Sequence, residues 1–108
     1  MDDLYSRFLP QFVKLARTRI AVAITTATQG DTAAAKTLVR ELHTLVGEAG
    51  LLGLTAVIPL ARVCEQKAKL LQNHRSEADV EVLVAALREL DQVIEGIGAA
   101  NPPKGGSS

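Results

Sequence analysis

Leu42-His43-Thr44-Leu45-Val46-Gly47-Glu48-Ala49-Gly50-Leu51-Leu52-Gly53 joins an apolar helical rhythm to a single histidine and three glycines. Leu38, Leu42, Leu45, Ala49 and Leu52 recur at alternating spacings of four and three, one stripe of an amphipathic helix. His43 follows Leu42 and is therefore turned roughly 100° off that stripe, toward its edge or into water. Gly47 and Gly50 fall one and two turns later on the histidine's own side, and Gly53 breaks the helix. A mid-helix glycine costs about 1 kcal/mol relative to alanine. Two of them beside one imidazole imply that something approaches closely, which makes His43 a candidate nucleophile kept open to another protein.

The rest of the chain suits a helical setting for that stretch. Its 108 residues allow one domain with one core. Ala, Leu and Val dominate, and only Tyr5, Phe8 and Phe12 are aromatic, which favours helix-on-helix packing over a β-sandwich. Formal net charge is zero, so the broad basic field of a nucleic-acid binder is missing. Cys64 is the only cysteine and can form no internal disulfide. With no secretory signal visible, a reducing cytoplasm is the expected home. The apolar run from Ala49 to Ala61 is too short for a bilayer span and contains Gly50, Gly53 and Pro59.

In chain order, Met1 to Leu9 is expected as a lead-in helix or turn, with Leu4, Tyr5 and Phe8 on its apolar side. Pro10, best tolerated in a first helical turn, then starts a helix running to about Thr28. Phe12, Leu15 or Ala16, Ile20, Ala23 and Ala27 form its stripe. Gly30 is expected in the left-handed conformation that ends a helix, and Asp31 or Thr32 caps the next, from Thr32 to Leu51 or Leu52. Thr55 is expected to cap a third helix with the stripe Val57, Leu60, Ala61, Cys64, Ala68 and Leu71, ending around Gln72-Asn73-His74. Ser76 and Asp79 resemble a capping box opening a fourth helix near Glu77. Val80, Leu83, Leu87, Leu90, Ile94 and Ile97 form its stripe, and Gly96, Gly98 and Asn101-Pro102-Pro103 stop it. Short connections force antiparallel neighbours. The expected fold is therefore all-α, an antiparallel up-down four-helix bundle over residues 1–99, with 100–108 a disordered tail or linker.

Several chemistries are poorly served by these residues. His43 has no second His or Cys one turn away, and Glu41 and Glu48 do not share its face, so no metal site is expected. Cys64 lies on a core stripe without a nearby cation, the setting of an inert thiol. His74 reads as an ordinary surface residue.

The run His43-Thr44-Leu45-Val46-Gly47, with Gly53 ten positions after the histidine, resembles the signature of histidine phosphotransfer (HPt) domains of His-Asp phosphorelays. The similarity continues through Gly50, Leu54, Val57 and Leu60 to Cys64-Glu65. The resemblance implies that His43 accepts a phosphoryl group from a receiver-domain aspartate, or from a kinase, and passes it to another receiver. The receiver is expected to bring the Mg²⁺ and the lysine that stabilise the transferring group, so this chain needs no bound cofactor. An exposed, neutral imidazole needs no activating base for that role. The resemblance places Glu65 as hydrogen-bond partner of the ring nitrogen facing away from the phosphoryl. Lys69 and Arg62 become cations able to offset phosphoryl charge, and Gly47 becomes clearance for the incoming site, against ordinary packing on the third helix.

One position departs from the family pattern. Val46 stands where a Lys or Arg usually follows the histidine by three residues. Val39, Val46, Gly50 and Leu51 then form an apolar docking patch that trades charge steering for hydrophobic contact. The competing expectation is a helical adaptor that binds a receiver or kinase without phosphorylation, and a third is a generic oligomerising bundle. Expected partners are a receiver domain and a sensor or hybrid histidine kinase, met by a monomer, with no nucleic acid and no membrane.

Overall fold

The structure is a computed structural model that describes residues 2–101. Four helices make it up: α1 (Asp2–Gln29), α2 (Thr32–Leu51), α3 (Ile58–Asn73) and α4 (Glu77–Ala100). They form an antiparallel bundle measuring 47 × 23 × 19 Å, the all-α architecture expected from the periodicity. Each helix packs on two neighbours: α1 on α2 and α4, α3 on α2 and α4. No helix among the described residues is long and apolar enough to cross a membrane.

The core is the sum of the four stripes. Ala16, Ile20, Ala23 and Ala27 from α1 meet Leu38, Leu42, Leu45 and Ala49 from α2, all buried. Ala61, Cys64, Ala68 and Leu71 of α3 and Leu83, Leu87, Leu90 and Ile94 of α4 are 0 % exposed. Each large aliphatic side chain so removed from water contributes about 1.5–3 kcal/mol. No polar or charged side chain is buried among the described residues. Of the two candidates at one position of α1, Ala16 is inside and Leu15 is out.

Pro10 does not start a helix. No separate lead-in precedes it; α1 runs unbroken from Asp2 through Pro10. An interior proline costs about 3 kcal/mol, but Leu9 and Phe12 on either side are 1 % and 7 % exposed. Burial of those two offsets the lost hydrogen bond, and the helix is continuous through Pro10. The Leu4 side chain, Met1 and the tail from Pro102 lie outside the described residues.

Glycines account for two more differences. Gly30 is not left-handed; Gly53, at φ +67°, is the one positive-φ residue among those described. Gly30 is glycine because the α1–α2 turn is too tight for a side chain. An added Cβ would lie 2.5 Å from the Thr26 carbonyl oxygen and 2.8 Å from Ala34 Cβ. Gly96 and Gly98 do not stop α4, which continues to Ala100 and ends on Asn101. Gly98 serves the crossing with α1 instead, since a Cβ there would meet Val13 Cγ1 at 2.9 Å.

The remaining ends are capped by identifiable groups. Asp31 accepts from the Ala34 amide at 2.9 Å, and Ser76 Oγ from the Asp79 amide at 3.1 Å. Gly53 closes α2 in a Schellman turn, with Leu54 N donating to Ala49 O at 2.9 Å and Gly53 N to Gly50 O at 3.1 Å. Thr55 is not the cap of α3. The amides of Val57 and Ile58 both bond to Leu54 O, so the chain is still turning at Thr55, and α3 opens at Ile58 with Pro59 in its first turn. Arg75, between α3 and α4, donates to Ala27 O at 2.8 Å and Thr28 O at 3.1 Å, satisfying carbonyls at the end of α1.

Candidate functional site

His43 projects from the middle of α2 on the flank that faces α3. Its side chain is 76 % exposed, while the neighbouring Leu42 is buried at 2 %. The one-residue offset read from the sequence separates a core leucine from an open imidazole. His43 Nδ1 lies 3.0 Å from Glu65 Oε2 on α3, and the Glu65 side chain is only 13 % exposed. A carboxylate oxygen accepts, so this contact puts the ring proton on Nδ1 and leaves the lone pair on Nε2, on the solvent side. Lys69 Nζ stands 3.8 Å from the same Glu65 oxygen, one turn along α3. One buried-side carboxylate thus orients the histidine and is itself flanked by a cation.

The glycines on this flank open space rather than close a contact. A Cβ added at Gly47 or Gly50 would meet nothing within 4 Å, so packing against α3 does not explain either residue. Val39 and Val46 are half-buried, Gly50 is exposed, and the Leu51 side chain stands in water at 90 % exposure. Arg62 is exposed and forms no ion pair among the described residues. Glu41 and Glu48 face the other way: Arg19 of α1 donates to Glu48 at 2.6 Å and lies 4.0 Å from Glu41. The groove lined by Thr18, Arg19, Val22, Thr37 and Glu41 is likewise on the flank away from His43.

Two residues on the histidine's face went unremarked in the sequence reading. Lys36 and Arg40 precede His43 by seven and three positions, both exposed on the same side of α2. Helical spacing alone could have found them. With Lys69 and Arg62 they supply the positive charge that Val46 does not.

Cys64, directly before Glu65, is buried, and burial pushes its thiol up to about 12, with the Glu89 charge adding to the effect. It is packing, not a nucleophile. The arrangement around His43 therefore offers an oriented, unenclosed nitrogen nucleophile. It stands open toward Gly47 and Gly50, where an added Cβ would meet nothing within 4 Å.

The family model of the Hpt domain matches residues 7–99, from the first turns of α1 to the last of α4. No curated protein and no solved structure matches the chain. The chain belongs to the Hpt domain family. Domains of this family are histidine phosphotransfer modules of two-component phosphorelays, neither kinases nor hydrolases.

Proposed function

We propose that the chain is a phosphorelay intermediate in which His43 Nε2 takes a phosphoryl group from a receiver-domain aspartate and returns it to another. Nε2 attacks phosphorus with its outward lone pair, the bond from phosphorus to the aspartyl oxygen breaks, and the receiver's carboxylate is regenerated. The imidazole keeps its Nδ1 proton and becomes positive as the bond forms. Glu65, 3.0 Å from that nitrogen, stabilises the developing charge. Mg²⁺ and the phosphoryl-binding lysine belong to the receiver, leaving this chain to supply a positioned nucleophile and room to reach it. The observation that carries the reading is the exposed His43 ring, tethered at Nδ1 by Glu65 beside a face left open at Gly47 and Gly50. A monomer in the cytoplasm, served by a sensor or hybrid kinase, is the setting this reading implies.

Incubation with a phosphorylated receiver domain and Mg²⁺ is expected to give acid-labile, alkali-stable label on the chain. Label at normal yield in His43→Gln would refute the assignment.

Val46 and the bare Leu51 side chain favour a second reading, an adaptor that binds a receiver through apolar contact without transfer. In that case partner binding survives His43→Ala and no label appears. Val46→Lys distinguishes degrees of the first reading, since the cations already present on the face are expected to hold its gain in transfer rate below about tenfold.

A further inference from the structure

α1 carries a second apolar line besides the one it gives to the core. Phe8, Leu15 and Val22 follow one another at intervals of seven and are 42 %, 54 % and 60 % exposed. At 100° per residue they lie roughly 80–120° round the helix from the buried Ala16. Val22 shares a groove with Thr37 and Leu38, so this is the flank turned toward α2. A seven-residue repeat is the spacing at which a helix presents one straight ridge to another helix. Along this ridge Gln11 and Thr18 are uncharged, and Arg19 is already held by Glu48 at 2.6 Å. The groove beside Val22 measures about 290 Å³, and its walls include Ala23 and Thr26 of α1 with Thr37 and Leu38 of α2. That space suits one aromatic side chain.

We propose that a second copy of this chain covers the ridge, its α1 antiparallel to the first, about a two-fold axis at Leu15. Leu15 stands midway between Phe8 and Val22, so an antiparallel pair keeps all three rungs in register. Leu15 meets the partner's Leu15, and each Phe8 meets the partner's Val22. The largest of the three side chains then falls against the smallest, at the level of the groove, and enters it between Ala23, Thr26, Thr37 and Leu38. A parallel pair would set the two Phe8 rings against each other, about 21 Å along the helix from either groove. A face that pairs with its own copy brings like groups together, which this uncharged line allows and the basic side of α2 does not. The two ridges with their borders bury on the order of 1,000 Å², the lower bound for a specific interface. The pair is therefore weak and reversible, and its symmetry closes it at two copies. It goes beyond the phosphotransfer reading: the monomer named there is its dissociated form, and His43, on the α2–α3 flank, stays open in both.

Sedimentation equilibrium of the full chain is expected to show its mass rising from one chain toward two at concentrations on the order of tens of micromolar. Phe8→Ser removes the ring and Thr37→Trp fills the groove, and each is expected to weaken the pair about tenfold or more. Both positions are exposed, and circular dichroism verifies that the variants fold. Leu15→Cys is expected to give a disulfide-linked dimer on mild oxidation, because the two-fold axis brings the two thiols together. Val22→Cys is expected to stay single, and the native Cys64 is buried and takes no part. A single-chain mass at every concentration would overturn the proposal. So would a pair unaffected by both substitutions, or Val22→Cys cross-linking as readily as Leu15→Cys. Phosphoramidate, a small donor that passes its phosphoryl group to Nε2 as the P–N bond breaks and ammonia leaves, is expected to label His43 equally in the single and paired forms. Labelling that falls as the pair forms would show the histidine covered and overturn the arrangement.

Discussion

His43 Nδ1 and Glu65 Oε2 meet at 3.0 Å across the α2–α3 seam, although 22 positions separate them in the chain. The contact fixes which nitrogen is free, and replacing Glu65 separates its two contributions. Glu65→Gln retains an acceptor and loses the charge, whereas Glu65→Ala loses both. A hydrogen bond to a charged group is worth about 1.5–3 kcal/mol, so Glu65→Ala is expected to slow phosphorylation of His43 about 10- to 100-fold, with Glu65→Gln in between. Nitrogen-detected NMR of the ring is expected to show the Nδ1–H tautomer dominant in wild type and diminished in Glu65→Ala.

Gly47 sets stability against access. No atom stands within 4 Å of the position its Cβ would take, so Gly47→Ala is expected to raise stability by about 1 kcal/mol and the melting temperature by several degrees. A long side chain at the same place acts on the partner instead. Gly47→Gln is expected to leave the fold intact, measured by thermal denaturation, and to block transfer from a receiver while phosphoramidate still labels His43.

Gly96 and Gly98 lie two residues apart in α4 and are expected to respond in opposite senses. A Cβ at Gly98 would sit 2.9 Å from Val13 Cγ1, a methyl on a short, β-branched side chain that cannot swing aside, whereas at Gly96 it meets nothing within 4 Å. Gly98→Ala is expected to lose about 1–3 kcal/mol through overpacking of the α1–α4 seam. Gly96→Ala is expected to be neutral or slightly stabilising. Urea denaturation of the pair reads the difference directly.

Cys64 makes stability depend on alkaline pH. Its thiol is raised from 9.0 to about 12 by burial, so the folded state holds the proton where the unfolded chain gives it up. The corresponding stability is fully present below pH 9 and is lost as pH rises toward 12. The melting temperature of wild type is expected to fall more steeply across that window than that of Cys64→Ala. At pH 8 the native thiol is expected to resist alkylation that proceeds readily in urea.

The fold was legible because each helix writes its core stripe at a spacing no strand could use: Leu83, Leu87, Leu90 and Ile94 are the plainest instance, all at 0 % exposure. What escaped the sequence depended on neighbours. Pro10 looks like a helix start until the burial of Leu9 and Phe12 is known, and Gly98 looks like a stop signal until Val13 of α1 is placed beside it. At the site, the exposure of His43 followed from its offset to Leu42. The Glu65 contact followed only from a family likeness, since no local rule relates two residues on different helices. Lys36 and Arg40 are legible from simple periodicity, since they precede His43 by two turns and one turn, whereas the family's basic position, filled here by Val46, follows it.

Both members of the His43–Glu65 pair, and every cation and glycine around them, come from α2, α3 and the Schellman turn between them. The other two rods lend apolar backing and, through Arg19 of α1, an ion pair to Glu48 on the flank away from His43. The working part of the molecule is thus a contiguous hairpin cassette, assembled from neighbours in sequence. It can be transplanted onto another pair of supporting helices, or have those helices exchanged for new ones, without redesigning the imidazole or what holds it.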